Sequence, residues 1–149
     1  LHILGRGDRA AHVREIEALR RRNSDWVRLE GEVYGLEKQS LLGRHKYGLS
    51  GCRNEAFGLA VAEMVKAGMI VWVPDSGGQT EIVADPGLIF SGRDDAVARI
   101  LAVLGDPGRE AALRRRLEAR GSAFSSSRFV SEMRAIVRDS LAQGHRHGA

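Results

Sequence analysis

The sequence predicts an α/β fold: a Rossmann-like parallel sheet flanked by helices, followed by two to three C-terminal helices. Three observations predict it. Apolar runs of strand length alternate with helix-length patterns from residue 2 to residue 90, the signature of βαβ units. The run Met69 to Val73 is apolar at every position, as in a strand buried on both faces of a parallel sheet. Beyond residue 90 only helical patterns remain.

His2-Ile3-Leu4 reads as the first strand, ending in the glycine turn Gly5-Arg6-Gly7. Asp8 is placed to cap a helix of roughly Arg9 to Arg22, whose apolar stripe is Ala10, Val13, Ile16 and Leu19. Trp26 to Glu30 is the second strand, closed by Gly31. Tyr34 to Gly43 is a short helix with Leu36, Leu41 and Leu42 as its core face, and Lys46 to Leu49 is a third strand. The loop Ser50 to Asn54 leads into a helix of about Phe57 to Ala67, which Gly68 ends. Pro74 ends the buried strand. The turn Asp75-Ser76-Gly77-Gly78 opens a short helix near Thr80 to Ala84, and Gly87 to Phe90 is a last short strand. Asp94 to Leu104 is helical, with Ala98, Leu101 and Leu104 among its apolar positions, until Asp106-Pro107-Gly108 breaks it. Arg109 to Ala123 and Ser127 to Leu141 are the closing helices, the last capped by Ser125-Ser126-Ser127. The domain is expected to occupy residues 1–142. The tail 143–149, QGHRHGA, reads as disordered, with His145 and His147 solvated rather than chelating.

Composition narrows the function class. The chain has 149 residues, 43% hydrophobic and 28% charged, which suits a globular domain with a core of its own. No run approaches a membrane span, and LHILGRGD has neither the apolar length nor the cleavage site of a signal peptide. The single cysteine, Cys52, excludes an internal disulfide and a cysteine-based zinc site. A reducing, cytoplasmic setting is therefore expected. Cys52 reads as a packing or lining residue, since no His and Asp or Asn pattern stands ready to activate it. The net charge is +4, and Arg20-Arg21-Arg22 and Arg114-Arg115-Arg116 are the densest basic runs. Glutamates interleave both, so they read as solvated helix faces and no nucleic-acid partner is expected.

Ligands of such sheets bind on the loops at the carboxyl ends of the strands. Those loops are Gly5-Arg6-Gly7, Gly31-Glu32-Val33, Ser50 to Asn54 and Asp75 to Gln79, and two nucleotide sites can be read there. One is a dinucleotide fingerprint: Gly5, Gly7 and Ala10 form G-x-G-x-x-A, and Glu30 stands where a ribose-binding acid would. The helix that follows, HVREIEALRRR, is highly charged, which counts against an NAD-type site. The other lies in NEAFGLAVAE, residues 54–63. A helix starting at Phe57-Gly58-Leu59 offers unpaired N–H groups and a positive dipole end, and Gly58 permits close approach of a phosphate. Glu63, two turns along, would meet the ribose, and a carboxylate suits a cis diol. Glu55 would face the sugar beyond the phosphates. Each glutamate alone has a plainer reading: Glu55 as a partner of the helix dipole, Glu63 as an ion-pair partner of Lys66.

In combination these residues resemble the C-terminal domain of retaining glycosyltransferases of the GT-B fold, family four. That family's signature is glutamate, seven residues, glutamate, with phenylalanine and glycine just after the first. Glu55-Ala-Phe-Gly-Leu-Ala-Val-Ala-Glu63 matches it. The likeness continues through Ala67-Gly68, Ile70 to Val73, Ser76-Gly77-Gly78, Glu81-Ile82-Val83 and Gly87, and upstream through Ile3 to Gly7 and Leu29 to Val33. Downstream, Phe124-Ser125 and Phe129 resemble the closing helices. Roughly residues 1–140 are covered. The resemblance implies that Glu55 binds hydroxyls of a donor sugar and that Phe57, Gly58 and Leu59 place backbone amides on its diphosphate. Glu63 would hold the ribose, Gly5 and Gly7 would let the nucleotide pass close to the backbone, and Val33 would lie near the base. Gly77 and Gly78 would shape the neighbouring loop. It implies a GDP- or UDP-linked donor, no metal and no other cofactor. The segment KYGLSGCRNEAFG is similar to mannosyltransferases that extend lipid-linked oligosaccharides.

The sequence also departs from the family. Its C-terminal domain opens with one more strand, carrying an arginine and a lysine that grip the diphosphate; here Arg6 and Arg53 are the nearby basic residues. The N-terminal domain, which would bind a glycan or lipid-linked acceptor, is not in the sequence. The expectation is a donor-binding half that transfers sugar poorly or not at all alone. An unpaired sheet edge would favour self-association, and the arginine runs permit peripheral contact with an anionic membrane. The competing class is a non-catalytic binding or assembly module that keeps the fold.

Overall fold

The structure is a computed structural model that describes residues 1–5 and 10–144. Arg6, Gly7, the expected cap Asp8, and the tail histidines His145 and His147 lie outside the described residues. The chain divides into two compact units, Leu1–Leu41 and Leu42–Ala149.

The first unit holds β1 (His2–Leu4), α1 (Ala10–Arg22), β2 (Arg28–Gly31) and most of α2 (Gly35–Gly43). β1 and β2 are parallel, pairing His2 with Arg28, Ile3 with Leu29 and, after a shift of register, Leu4 with Gly31. This is the expected βαβ unit. One strand boundary and two expected core positions fail here. Trp26 is 54% exposed and precedes the strand, which starts at Arg28, while its neighbour Val27 is buried. Leu36 is 83% exposed, whereas Leu41 and Leu42 are buried. At 100° per residue Leu36 points about 140° away from Leu41, so one face cannot bury both. Leu19 is half exposed for the same reason, lying about 120° around α1 from Val13.

The second unit contains β3 (Tyr47–Leu49), α3 (Leu59–Lys66), β4 (Ile70–Pro74), α4 (Gln79–Val83) and β5 (Ile89–Phe90). It closes with α5 (Arg93–Leu104), α6 (Pro107–Gly121) and α7 (Ser126–Gly144). The strands run in the order β3-β4-β5, all parallel, with Tyr47 opposite Ile70 and Val73 opposite Ile89. Every residue of β4 is buried, as its continuous apolar run requires. The core around it takes Val61 and Val65 from α3, Ile82 and Val83 from α4, and Val103, Leu113 and Leu117 from α5 and α6.

Several stop signals act as expected. Ala67 and the left-handed Gly68 (φ 84°) close α3, with Gly68 N donating to Val65 O at 3.0 Å. Asp106 Oδ1 accepts from Arg109 N at 3.0 Å and so caps α6. Ser125 Oγ accepts from Arg128 N at 3.3 Å at the head of α7, which runs on through Gln143 and Gly144.

α5 buries a different stripe from the one expected. Ala96 and Val103 are buried with Ile100 packed beside them, while Ala98, Leu101 and Leu104 face outward. The helix carries two apolar stripes, and packing on β5 and α6 selects the one at i, i+4, i+7. The second arginine run is also corrected. Arg114 donates to Gly68 O at 2.8 Å, and Arg116 binds Asp85 at 2.8 Å and Ala84 O at 3.1 Å. Arg120 donates to Ile82 O at 2.9 Å and to Glu81 O. These guanidinium groups close the carboxyl ends of α3 and α4, where the helix dipole favours positive charge. Only Arg115 of that run fits the solvated reading.

Candidate functional site

The carboxyl ends of β3, β4 and β5 are followed by three loops, and those loops hold one another. Ser50 N donates to Trp72 O at 2.9 Å and Asp75 N to Phe90 O at 2.8 Å, extending the strand ladder into the loops. Arg53 Nη2 reaches Ser91 O at 3.0 Å, and Asn54 N reaches Ser76 Oγ at 3.0 Å. Arg53, a candidate for the missing basic grip, is thus used in tying two loops together.

The segment around Glu55 owes its shape to glycines. Gly78 N donates to Glu55 O at 2.9 Å. A Cβ on Gly77 would stand 2.1 Å from Glu55 O, and one on Gly78 would stand 2.6 Å from Ala56 O. No side chain fits between the two loops. Gly77 and Gly78 therefore shape the neighbouring loop by direct backbone contact. Gly77 also has φ 72°, a left-handed conformation open to glycine.

Gly58 makes the turn into α3. Its φ of 93° and ψ of 44° put it in the left-handed region just before the helix, which starts at Leu59 rather than at Phe57. Its carbonyl accepts from Ala62 N at 2.9 Å, the first helical bond. Its N–H points to Glu55 Oε1 at 3.3 Å. Glu55 is thus folded back over the start of α3, in the position of an anion facing the dipole. Phe57 and Leu59, 56% and 69% exposed, flank that start. Glu63 is exposed, four residues and about 6 Å farther along the axis. The structure thus gathers Glu55, Phe57, Gly58, Leu59, Glu63, Gly77 and Gly78 around one helix start at the carboxyl edge of the sheet.

Gly5 and Val33 belong to the first unit. Gly5 has φ 118°, and its N–H donates to Gly31 O at 2.8 Å. Val33 is half-buried beyond β2. Glu30, the acid of the dinucleotide reading, holds His2 Nδ1 at 2.5 Å. Gly7 lies outside the described residues.

One residue at the site carried no sequence signal. Gln79 follows the two glycines and is completely buried. Its Nε2 donates to Cys52 O at 2.7 Å and to Ser76 O at 3.1 Å, and its Oε1 accepts from Ser50 Oγ at 2.9 Å. A glutamine at the head of a five-residue helix looks like a surface residue until the loop after β3 is in view. Cys52 itself is exposed and lines the site. Partial burial, then the Glu55 carboxylate beside it, push its thiol up from the ordinary value, which disfavours the nucleophilic thiolate. Among the described residues no group of three or more His, Cys, Asp or Glu could hold a metal, and no helix is long and apolar enough to cross a membrane.

No protein-family model matches the sequence, and no curated protein matches it. Solved structures do match its fold. The pneumococcal O-GlcNAc transferase GtfA in complex with UDP and GlcNAc is 20% identical with a TM-score of 0.73, over 94% of this chain and 29% of that one. HepE of Anabaena in complex with UDP is 19% identical with a TM-score of 0.71, over 95% of this chain and 40% of that one. The GtfA/B complex is 18% identical with a TM-score of 0.73, over 93% and 29%. The chain thus spans well under half the length of each. At these identities the likeness shows the fold alone: an α/β fold shared with part of each of these chains.

Proposed function

We propose that this chain is the donor-binding part of a glycosyltransferase and that it binds a nucleoside diphosphate sugar at the start of α3. The observation that carries this reading is the geometry of Glu55 and Gly58. A left-handed glycine brings bare backbone to the head of a helix, and a carboxylate three residues earlier is held over the same spot. A diphosphate would take the N–H groups of the first turn, where no intrahelical partner exists and the dipole favours negative charge. Glu55 would then leave Gly58 N for sugar hydroxyls, since a carboxylate accepts from two hydroxyls at once. Glu63 would take the ribose diol. The N–H groups and dipole would stabilise charge on the departing diphosphate.

The UDP held by two of the structural neighbours makes uracil the first base to try. Transfer with retention, a hexosyl and in particular a mannosyl group, and a glycan or lipid-linked acceptor complete the reading and rest on the sequence resemblance. So do the roles of Gly5, Gly7 and Val33.

The test is calorimetric titration of UDP and GDP into the chain and into Glu63→Ala. One nucleotide binds, and Glu63→Ala weakens it by about 1–3 kcal/mol, the cost of removing a charged hydrogen-bonding partner. Affinity indifferent to Glu63→Ala would refute the assignment of the ribose.

A further inference from the structure

Gln79 is completely buried, and its three hydrogen bonds join two separate loops of the site. A buried amide must find partners, and this one uses both donors and its acceptor. The Ser50 hydroxyl and the Cys52 carbonyl belong to the arm that leads to Glu55. The Ser76 carbonyl belongs to the turn whose next residues, Gly77 and Gly78, carry the Glu55 backbone. The side chain is therefore the interior bolt of a loop pair that offers Glu55 at its surface. An apolar side chain of the same size would fill the space and leave Cys52 O and Ser76 O without this partner.

We propose that Gln79 is a positioning residue that holds the Glu55 carboxylate over the head of α3 by locking the Ser50–Cys52 arm to the Ser76–Gly78 turn. The proposal rests on the reading of Glu55 as the sugar-facing carboxylate and names what sets its place. Its consequence is selectivity: loosening the lock lowers affinity for the sugar part of a donor more than for the nucleotide.

Cys52 gives a readout that needs no ligand. It is the single cysteine of the chain, it is exposed, and it sits between Gln79 and Glu55. Its thiol is held up by partial burial and by Glu55. Labelling by a maleimide at neutral pH therefore reports whether Glu55 is in place. In the otherwise wild-type chain, Glu55→Gln speeds labelling by about threefold or more. In the Gln79→Leu chain labelling is already fast, and adding Glu55→Gln changes nothing further. A Gln79→Leu chain that keeps the full effect of Glu55→Gln would overturn the proposal. So would a wild-type chain whose labelling ignores Glu55→Gln. If circular dichroism shows Gln79→Leu unfolded, the unbranched Gln79→Met, which also removes all three hydrogen bonds, replaces it: loss of the Glu55→Gln effect supports the lock, and retention overturns it. Titration of UDP into the same proteins separates the two ideas. A labelling cycle as predicted with no UDP binding leaves the lock standing and removes the nucleotide reading.

Discussion

Gly77 and Gly58 each do what no other residue does at their positions, for different reasons. Gly77 combines a left-handed φ of 72° with a neighbouring carbonyl 2.1 Å from where a Cβ would be. Gly77→Ala should cost about 2 kcal/mol or more, from backbone strain and forced separation of the two loops. Gly43→Ala, which meets nothing within 4 Å, should stay within about 0.5 kcal/mol. Urea denaturation of both variants checks this, and equal midpoints would contradict it. The close approaches at Gly58, Gly77 and Gly78 were legible in the sequence because glycine there meets a backbone requirement, while Glu55 was singled out through the family resemblance. Gln79 was not, because its role depends on where Ser50 and Cys52 lie in space, and no local pattern encodes that. Leu36 is as apolar as Leu41 but lies about 140° away around α2, so hydrophobicity alone does not show that it faces outward.

At the scale of elements, α6 packs against α3, α4, α5 and β4. Its arginines cap two helices, and Glu110 ties it to β3 through the Tyr47 hydroxyl and to Arg114 at 3.1 Å. The hydrogen bond from Tyr47, followed by that from Arg114, holds the Glu110 carboxyl below its ordinary value. Burial and then the bond to Glu110 hold the Tyr47 hydroxyl above its own. The signs follow from linkage. A lowered acid stabilises the fold at neutral pH, and that contribution is lost as pH falls through the lowered value. A raised phenol contributes below its ordinary value, near 10, and loses that contribution as pH rises through the raised one. Tyr47→Phe should therefore flatten the acid and alkaline limbs of the stability profile together, read as thermal midpoints from pH 3 to 11. Unchanged limbs would mean that the bond does not form in solution. The end of α3 and the head of α7 were readable to within a residue because Gly68 and Ser125 stop or cap helices by local chemistry, whereas α3 starts two residues after the expected Phe57 and α6 two residues before the expected Arg109. The outward stripe of α5 was misread because two stripes compete there, and only packing against β5 and α6 chooses between them.

At the scale of the whole molecule, the α/β class was readable because strand and helix periods alternate and the β4 run is apolar throughout. The division into units at Leu41 and Leu42 was not, since no linker, proline or change of composition marks it. The neighbours share this fold at 18–20% identity, so the claim of nucleotide binding stands or falls on the loops at the carboxyl edge of β3 and β4. The most direct measurement is amide chemical-shift mapping of the labelled chain during UDP titration. The account predicts saturable shifts centred on Phe57 to Val61, with Gly77 to Gln79 moving as Glu55 leaves Gly58. Shifts confined to Leu4, Gly5 and Glu30, or none at any UDP concentration, would contradict it.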